Sequence, residues 1–402
     1  MSQKSESSLE NLESEGMIPH LPQEIRLNIL FRLPVEGLIR CTSVRKSWRT
    51  VIKDQSFIGD YNSCAKNSAI ENGTQLLLVH GTAFTFEVER GIVSGALLGH
   101  EVYSLHYDDP TFLEHSRIRV PVVPRWNICF RVAGICDGIV LLADDVPIYG
   151  YNFILCNPFL RKSVILPHPN VTFETHGLYE ASVGFGHDAM KNDYKVVMLA
   201  SLLDELPGSE SRTVVEVYSL VAHSWKDPQI APLIRIEGRA RAAFFDGALH
   251  WPASRRENNN CCNFILVFDV STESFRPEIM MPESVRTLVE VKSLELSLSS
   301  DQKSIALFVE DADVLQVWVL NDYGRPESWT LLMQEAPFTS LCFMRSGELL
   351  LADDLEGYYG LLSQKPVSRE RRRLEVTGYG DYTVDSYGQT LQLLNEENAR
   401  SY

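Results

Sequence analysis

No stretch of this 402-residue chain reaches the roughly 18 consecutive apolar residues that a membrane-spanning helix requires, so no membrane insertion is expected. Cysteine is present but shows no pattern. The eight residues, at positions 41, 64, 129, 136, 156, 261, 262 and 342, include no Cys-x-x-Cys pair and lie mostly within apolar runs. That usage fits reduced thiols in a cytosolic or nuclear protein and gives no disulfide framework. Positive charge is in deficit: 37 Lys and Arg face 53 Asp and Glu, a net charge of −16. A chain so acidic repels phosphate backbones, which argues against nucleic acid as a partner. Residues 1–16 lack an apolar h-region and an Arg-rich amphipathic pattern, so neither a signal nor a transit peptide is expected. The expected compartment is cytoplasmic, nuclear or both. Catalytic motifs are also missing. The ten histidines contain no His-Glu-x-x-His and no zinc-type Cys/His spacing. No Gly-x-Ser-x-Gly elbow occurs, since Gly91-Ile-Val-Ser-Gly95 has the wrong spacing. No motif nominates a catalytic residue, a metal site or a cofactor, so none is expected, although spacing alone leaves open a constellation assembled from distant segments.

What is there begins with a Ser/Glu-rich leader over residues 1–16, too poor in apolar anchors to order itself. From Ile18 to about Phe57 the apolar positions follow a helical period. Pro22 suits a first helical position, with Glu24 in the first turn at the favourable end of the helix dipole. Ile25, Ile29 and Leu33 recur at four-residue spacing, with Leu30 widening the stripe. Pro34 breaks that helix. A second carries Val35, Leu38 and Ile39, and Gly37 inside it costs roughly 1 kcal/mol relative to Ala. Ser43 is read as the N-cap of a third helix bearing Val44, Trp48 and Ile52 on one face. Three short helices make a poor isolated core, so this module is expected to need a partner.

After about residue 70 the texture turns to short runs rich in branched and aromatic residues: Gln75-Leu-Leu-Leu-Val79, Gly138-Ile-Val-Leu-Leu142, Tyr194-Lys-Val-Val-Met198, Phe264-Ile-Leu-Val-Phe268 and Leu315-Gln-Val-Trp-Val-Leu320. Turn residues bound most of them, and no long helical pattern intervenes, which argues against alternating βαβ units. A weak repeat recurs every 45 to 60 residues, with a Gly opening an apolar strand at Asp137-Gly138, Asp246-Gly247 and Ser346-Gly347. That spacing matches propeller blades of about 50 residues. Blades so marked begin near residues 74, 128, 178, 240, 287 and 340, which makes six. The kelch double-glycine signature is absent.

Two stretches carry a resemblance. Leu21-Pro-Gln-Glu, Ile29-Leu-Phe-Arg-Leu-Pro-Val35 with Leu38, and Lys46-Ser-Trp48 together resemble the plant F-box. Cys136-Asp-Gly-Ile-Val-Leu-Leu142, Leu155-Cys-Asn-Pro-Phe159, Gly184-Phe-Gly-His-Asp188 with Asp193-Tyr-Lys-Val-Val197, and Phe245-Asp-Gly-Ala-Leu-His-Trp251 resemble the plant F-box-associated domain, in the family's order. Immune-regulator and S-locus F-box proteins share these features. The resemblance implies an α+β multidomain protein: a leader (1–16), a small all-α three-helix F-box (17–60), a linker (61–73), a large all-β domain (74–394) and a tail (395–402). The β-domain is expected to be a six-bladed kelch-like β-propeller.

By the same resemblance the chain is the substrate-recognition subunit of an SCF-type ubiquitin ligase. A Skp-type adaptor would dock on Leu21, Pro22, Ile25, Ile29, Leu30, Leu33, Pro34, Val35 and Leu38, while Trp48 and Ile52 pack inside. Cullin and RING subunits would follow through the adaptor, and the β-domain would hold a protein substrate for ubiquitination. Substrate-binding residues are not specified by the sequence. Candidate loops are 107–125, 168–182, 204–212, 252–262 and 321–328, expected to meet at one face. Two other readings stay open: an adaptor-binding regulator that delivers no substrate, and a β-propeller ligand-binding protein or hydrolase with an incidental helical leader.

Other features take plainer readings. Gly184-Phe-Gly186-His-Asp-Ala189 matches a dinucleotide fingerprint, but a strand follows it where that site needs a helix, so a blade turn is expected. His250 reads as a strand histidine. Arg369, Arg371, Arg372 and Arg373 read as a solvated turn or blade edge. Asp144-Asp145 and Asp353-Asp354 with Glu356 read as solvated turns, with a basic substrate face as the sharper alternative.

Overall fold

The chain, seen as a computed structural model, is described over residues 22–89, 92–120, 124–125, 127–146, 150–203, 212–231, 234–236, 239–257, 260–289, 293–311, 314–335, 338–353 and 360–401. Two compact units divide between Ser68 and Ala69.

The first unit is helical: α1 (Gln23–Phe31), α2 (Val35–Val44), α3 (Lys46–Ile52) and α4 (Gln55–Glu71). Pro22 and Pro34 stand immediately before α1 and α2 with extended ψ, so each proline starts a helix where its missing amide costs nothing. Leu30, Val35, Leu38, Ile52, Phe57, Ile58 and Tyr61 are buried, and the Phe31 and Phe57 rings lie 4.9 Å apart. Tyr61 Oη donates to the Leu33 carbonyl at 2.9 Å, satisfying an acceptor at the Pro34 break.

Two expectations need correcting. Ser43 lies inside α2, and the extended residue before α3 is Arg45, because the Thr42 hydroxyl bonds back to the Ile39 carbonyl at 2.6 Å and the helix runs on. Residues 61–71, read as linker, belong to α4. Asp54 starts that helix by accepting the amides of Ser56 (3.0 Å) and Phe57 (3.2 Å). Its buried positions end at Tyr61, so the later turns carry no apolar period to betray them.

The second unit is a ring of six antiparallel sheets. Blade 1 holds, from the inside outward, Asp381–Tyr387, Leu76–Glu89, Ile92–Tyr107 and Glu114–Ile118. The first strands of blades 2 to 6 in the chain are Arg131–Cys136, Tyr179–Asp188, Ala243–Phe245, Ser293–Leu298 and Thr339–Phe343. With Leu76 opening blade 1, these lie within a few residues of the starts read from the repeat, except in blade 5, where Ser293 comes later than the expected 287. Inner strands of neighbouring blades touch all the way round, and Val183 and Arg241 form a parallel bridge between blades 3 and 4. The ring closes where Asp381–Tyr387 pairs with Leu76–Thr82, in register from Leu76↔Tyr387 to Thr82↔Asp381. Closure gathers the inner edges around the channel and leaves each blade only a short outer edge that could template aggregation. Arg400–Ser401, within the expected tail, adds an outermost strand to blade 2.

The core is divided into six apolar clusters, one per seam between blades. Successive residues of one strand serve opposite seams: Val196, Met198 and Ala200 face blade 2, while Val197 and Leu199 face blade 4. Burial on both faces explains why the strands read as near-continuous apolar runs.

In place of the missing kelch glycines, other glycines let blades approach. Gly184 and Gly186 lie within the inner strand of blade 3, not in a turn. A Cβ on Gly184 would stand 2.6 Å from Trp251 Cζ2, and one on Gly186 2.7 Å from the Phe244 ring. A polar clip joins the same two blades. Lys195 Nζ, 1% exposed, donates to Asp188 Oδ2 (2.7 Å) and the Val270 carbonyl (2.8 Å) and pairs with Glu273 (2.8 Å). Burial pushes the Asp188 carboxyl up, but hydrogen bonds from Lys195 and Ser271 outweigh it and hold the group at about 2.

Candidate functional site

Two surfaces present groups that the core does not need. In the helical unit, Pro22, Ile25 and Ile29 are exposed, the isoleucines at 46% and 44%. Four-residue spacing puts both isoleucines on one face of α1. Pro34 is exposed and Leu33 half-buried. Leu30, Val35 and Leu38 are at most 3% exposed and hold the helices together. Leu21 lies outside the described residues. Ile52 is buried and Trp48 half-buried.

The other surface is the mouth of the ring at which the inner strands begin. Antiparallel order alternates the connections between two faces, so each segment entering an inner strand reaches this mouth. Residues 119–120, 124–125, 127–130 and 166–178 belong to such segments, whereas 108–113 and 321–328 turn at the opposite face. The five loops read from sequence therefore do not share one face. Residues 252–262 run mostly through strands of blade 4, and 204–211 lie outside the described residues.

At the mouth a cavity of about 320 Å³ lies between blades 1 and 2. Blade 1 contributes His80 and Thr82 from one strand and, opposite them in register, Thr383 and Asp381 from the closing strand. Residues 127–131 form the second wall, with Arg131 at its end, and Arg239 reaches it from the approach to blade 4. Two acids, buried Asp144 and half-buried Glu101, hold that wall. Asp144 accepts the amides of Arg125 (2.7 Å) and Asn127 (2.8 Å), and Glu101 accepts the Phe130 amide and the Tyr103 hydroxyl, each at 3.1 Å.

Further along the channel, Arg241 Nη2 donates to Asp385 Oδ2 at 2.7 Å. These residues belong to blades 4 and 1, opposite each other in the ring, so the pair crosses the channel. The surrounding protein desolvates Asp385 and raises its pKa, with Arg241 acting against that shift.

Charged motifs singled out from sequence have structural partners. Arg371–Thr377 is the outer strand of blade 6. There Arg369 and Arg371 pair with buried Glu335, the Arg371 guanidinium lies 4.4 Å over the Phe338 ring, and Arg373 stands 3.9 Å from Asp353. Asp144 and Asp353 are buried, not solvated turn residues. The side chains of Asp145, Asp354 and Glu356 lie outside the description. His250 is fully buried in its strand, with Nδ1 3.1 Å from the Ala243 carbonyl and Nε2 2.6 Å from Tyr323 Oη. Among the described residues no group of three or more His, Cys, Asp or Glu could hold a metal ion, and no helix is long and apolar enough to cross a membrane. Sequence reasoning missed the cavity, whose lining comes from positions 80 to 383; only the ring topology brings them together.

Residues 99–371 match the family described as the F-box associated beta propeller domain, which spans most of the chain. The chain belongs to this F-box-associated propeller family. Residues 18–58 match the F-box-like family, covering α1, α2 and α3 and the start of α4. Two similar proteins of Arabidopsis thaliana are F-box protein CPR1, 24% identical over 77% of this chain and 71% of its own length, and Protein SUPPRESSOR OF NIM1 1, 24% identical over 72% and 69%. An Arabidopsis F-box/kelch-repeat protein is 22% identical over 79% of this chain and 80% of its own. In this F-box-associated propeller, Gly184, Asp188, Asp193 and Lys195, which carry part of the family likeness, are packing and clip residues of blade 3. Asp193, for example, accepts the Ser219 hydroxyl at 2.6 Å and the Val221 amide at 3.0 Å.

Proposed function

We propose that this protein is the substrate-recognition subunit of an SCF-type ubiquitin ligase, docking a Skp-type adaptor through its helical unit and holding a protein substrate on the propeller. The observation that carries the reading is the pairing, in one chain, of an F-box-like helical unit exposing Pro22, Ile25, Ile29 and Pro34 with an F-box-associated propeller. Exposed isoleucines on one helix face beside two prolines suit insertion into an apolar groove of the adaptor. Leu33 flanks them, while Leu30, Val35 and Leu38 shape the unit that presents them. The subunit needs no catalytic residue. Holding a substrate beside a ubiquitin-charged enzyme, recruited with the cullin and RING subunits, raises its effective concentration. The working compartment is the cytoplasm or nucleus.

The test is co-purification of the full chain with a Skp-type adaptor, comparing wild type with Ile25→Asp/Ile29→Asp. Both side chains are exposed, so the variant is expected to fold, and its adaptor capture should fall at least tenfold. Folded wild type that captures no adaptor would sink the reading and favour a propeller that acts alone.

A further inference from the structure

The cavity at the ring mouth has a charge unlike that of the chain around it. In a protein of net charge −16, residues 119–131 contain Arg119, Arg125 and Arg131 and no acid, and residues 234–242 contain Arg235, Arg239 and Arg241 against Glu237. The described residues of both segments, Arg119, Arg125, Arg131, Arg235, Arg239 and Arg241 among them, lead into inner strands that begin at the same mouth. The charged or imidazole groups that line the cavity are Arg131, Arg239, His80 and Asp381, with the hydroxyls of Thr82, Thr383 and Tyr382, the Cys129 thiol and the amide of Asn127 between them. The nearby acids behind the walls, Glu101 and Asp144, are engaged by backbone amides as described. His80 is 3% exposed, and its Nε2, 3.5 Å from Glu101 Oε2, makes no hydrogen bond. A buried donor–acceptor group left open on a cavity wall is a place for a ligand atom.

We infer that this cavity receives an anionic side chain of the protein substrate, a carboxylate or a phosphate. The inference rests on the substrate-receptor reading and deepens it. Guanidinium forks match the two or three coplanar or clustered oxygens of these groups, and two forks arriving from different blades fix both position and direction. A volume of about 320 Å³ is at the lower end for ligand pockets and takes one side chain, not a folded element. The Arg241–Asp385 pair, two residues further along the approach to blade 4 from Arg239 and along the closing strand from Thr383, crosses the channel and limits how deep the side chain can reach. Low-dielectric walls strengthen the attraction relative to the same charges on an open surface.

Saturation-transfer NMR on the full chain tests this with the N-acetyl, N-methylamide derivatives of O-phospho-L-serine and L-glutamate as probes and that of L-lysine as control, so that only the side chain carries charge. The wild type should bind one or both anions and not the lysine derivative, and Arg131→Gln/Arg239→Gln should weaken that binding at least tenfold. Phosphoserine binding alone assigns a phosphorylated residue; binding of both shows that a carboxylate suffices. Should the double variant misfold, Arg239→Gln, altering an exposed residue, should weaken binding severalfold. Failure of both anions to bind folded wild type, or unchanged binding by folded variants, overturns the assignment. Adaptor co-purification from the same preparations separates the two claims: capture without anion binding removes this inference and leaves the receptor reading standing.

Discussion

His250 carries a stability signature that can be read out with acid. Burial lowers its imidazole to about 4 from the usual 6.5, and contacts to Ala243 and Tyr323 hold it. Below pH 6.5 the unfolded imidazole binds a proton that the native one refuses until about pH 4, so acidification across that window favours unfolding. The loss should total roughly 3 kcal/mol at most, and urea melts of wild type and His250→Gln at pH 7 and pH 5 should show a shallower pH dependence in the variant. Lys195→Met should leave Asp188 buried with only the long 3.9 Å contact to Lys191, while Glu273 keeps Lys226, and should cost about 3 kcal/mol, measured by denaturant midpoint. Gly37→Ala points the other way. A Cβ there would meet Pro34 Cδ at 3.4 Å, an ordinary contact, so the better helix former should stabilise the unit by up to about 1 kcal/mol in thermal melts. At this scale the sequence was most readable where chemistry is local: Pro22 and Pro34 do start helices. It was least readable for Asp144, whose role depends on amides of a segment 17 to 19 residues away.

Elements were legible in proportion to their periodicity. Helices α1 to α3 follow from apolar spacing and prolines, whereas α4 outruns its three buried positions, so that its residues 61–71 read as linker. The inner and middle strands were legible because the seams on both their faces demand apolar residues at most positions, unlike outer strands such as Glu114–Ile118 and Arg371–Thr377. The short outer pieces Gln229–Ile230 and Ile279–Met280, which pair outside the main order of blades 3 and 4, carry no such run. The closing strand is the element on which the ring depends most. Val384 pairs with Val79 and lies buried in the seam of blades 6 and 1. Val384→Asp would bury an unpaired charge there and should cost several kcal/mol. Limited proteolysis should then cut within blade 1 at concentrations that leave wild type intact.

For the whole molecule, six blades could be counted because the repeat survives in spacing even where its residues vary. The cavity could not be found that way. His80, Arg131, Arg239 and Thr383 are far apart in the chain and carry no mutual pattern; only the circular arrangement makes them neighbours. Circular closure also sets an order of events during synthesis. Leu76–Thr82 must wait for Asp381–Tyr387, about 300 residues later, which at roughly 5–20 residues per second is on the order of 15–60 s of translation. The helical unit is complete long before, so an unfinished ribosome-bound chain already displays Ile25 and Ile29 while its ring still stands open.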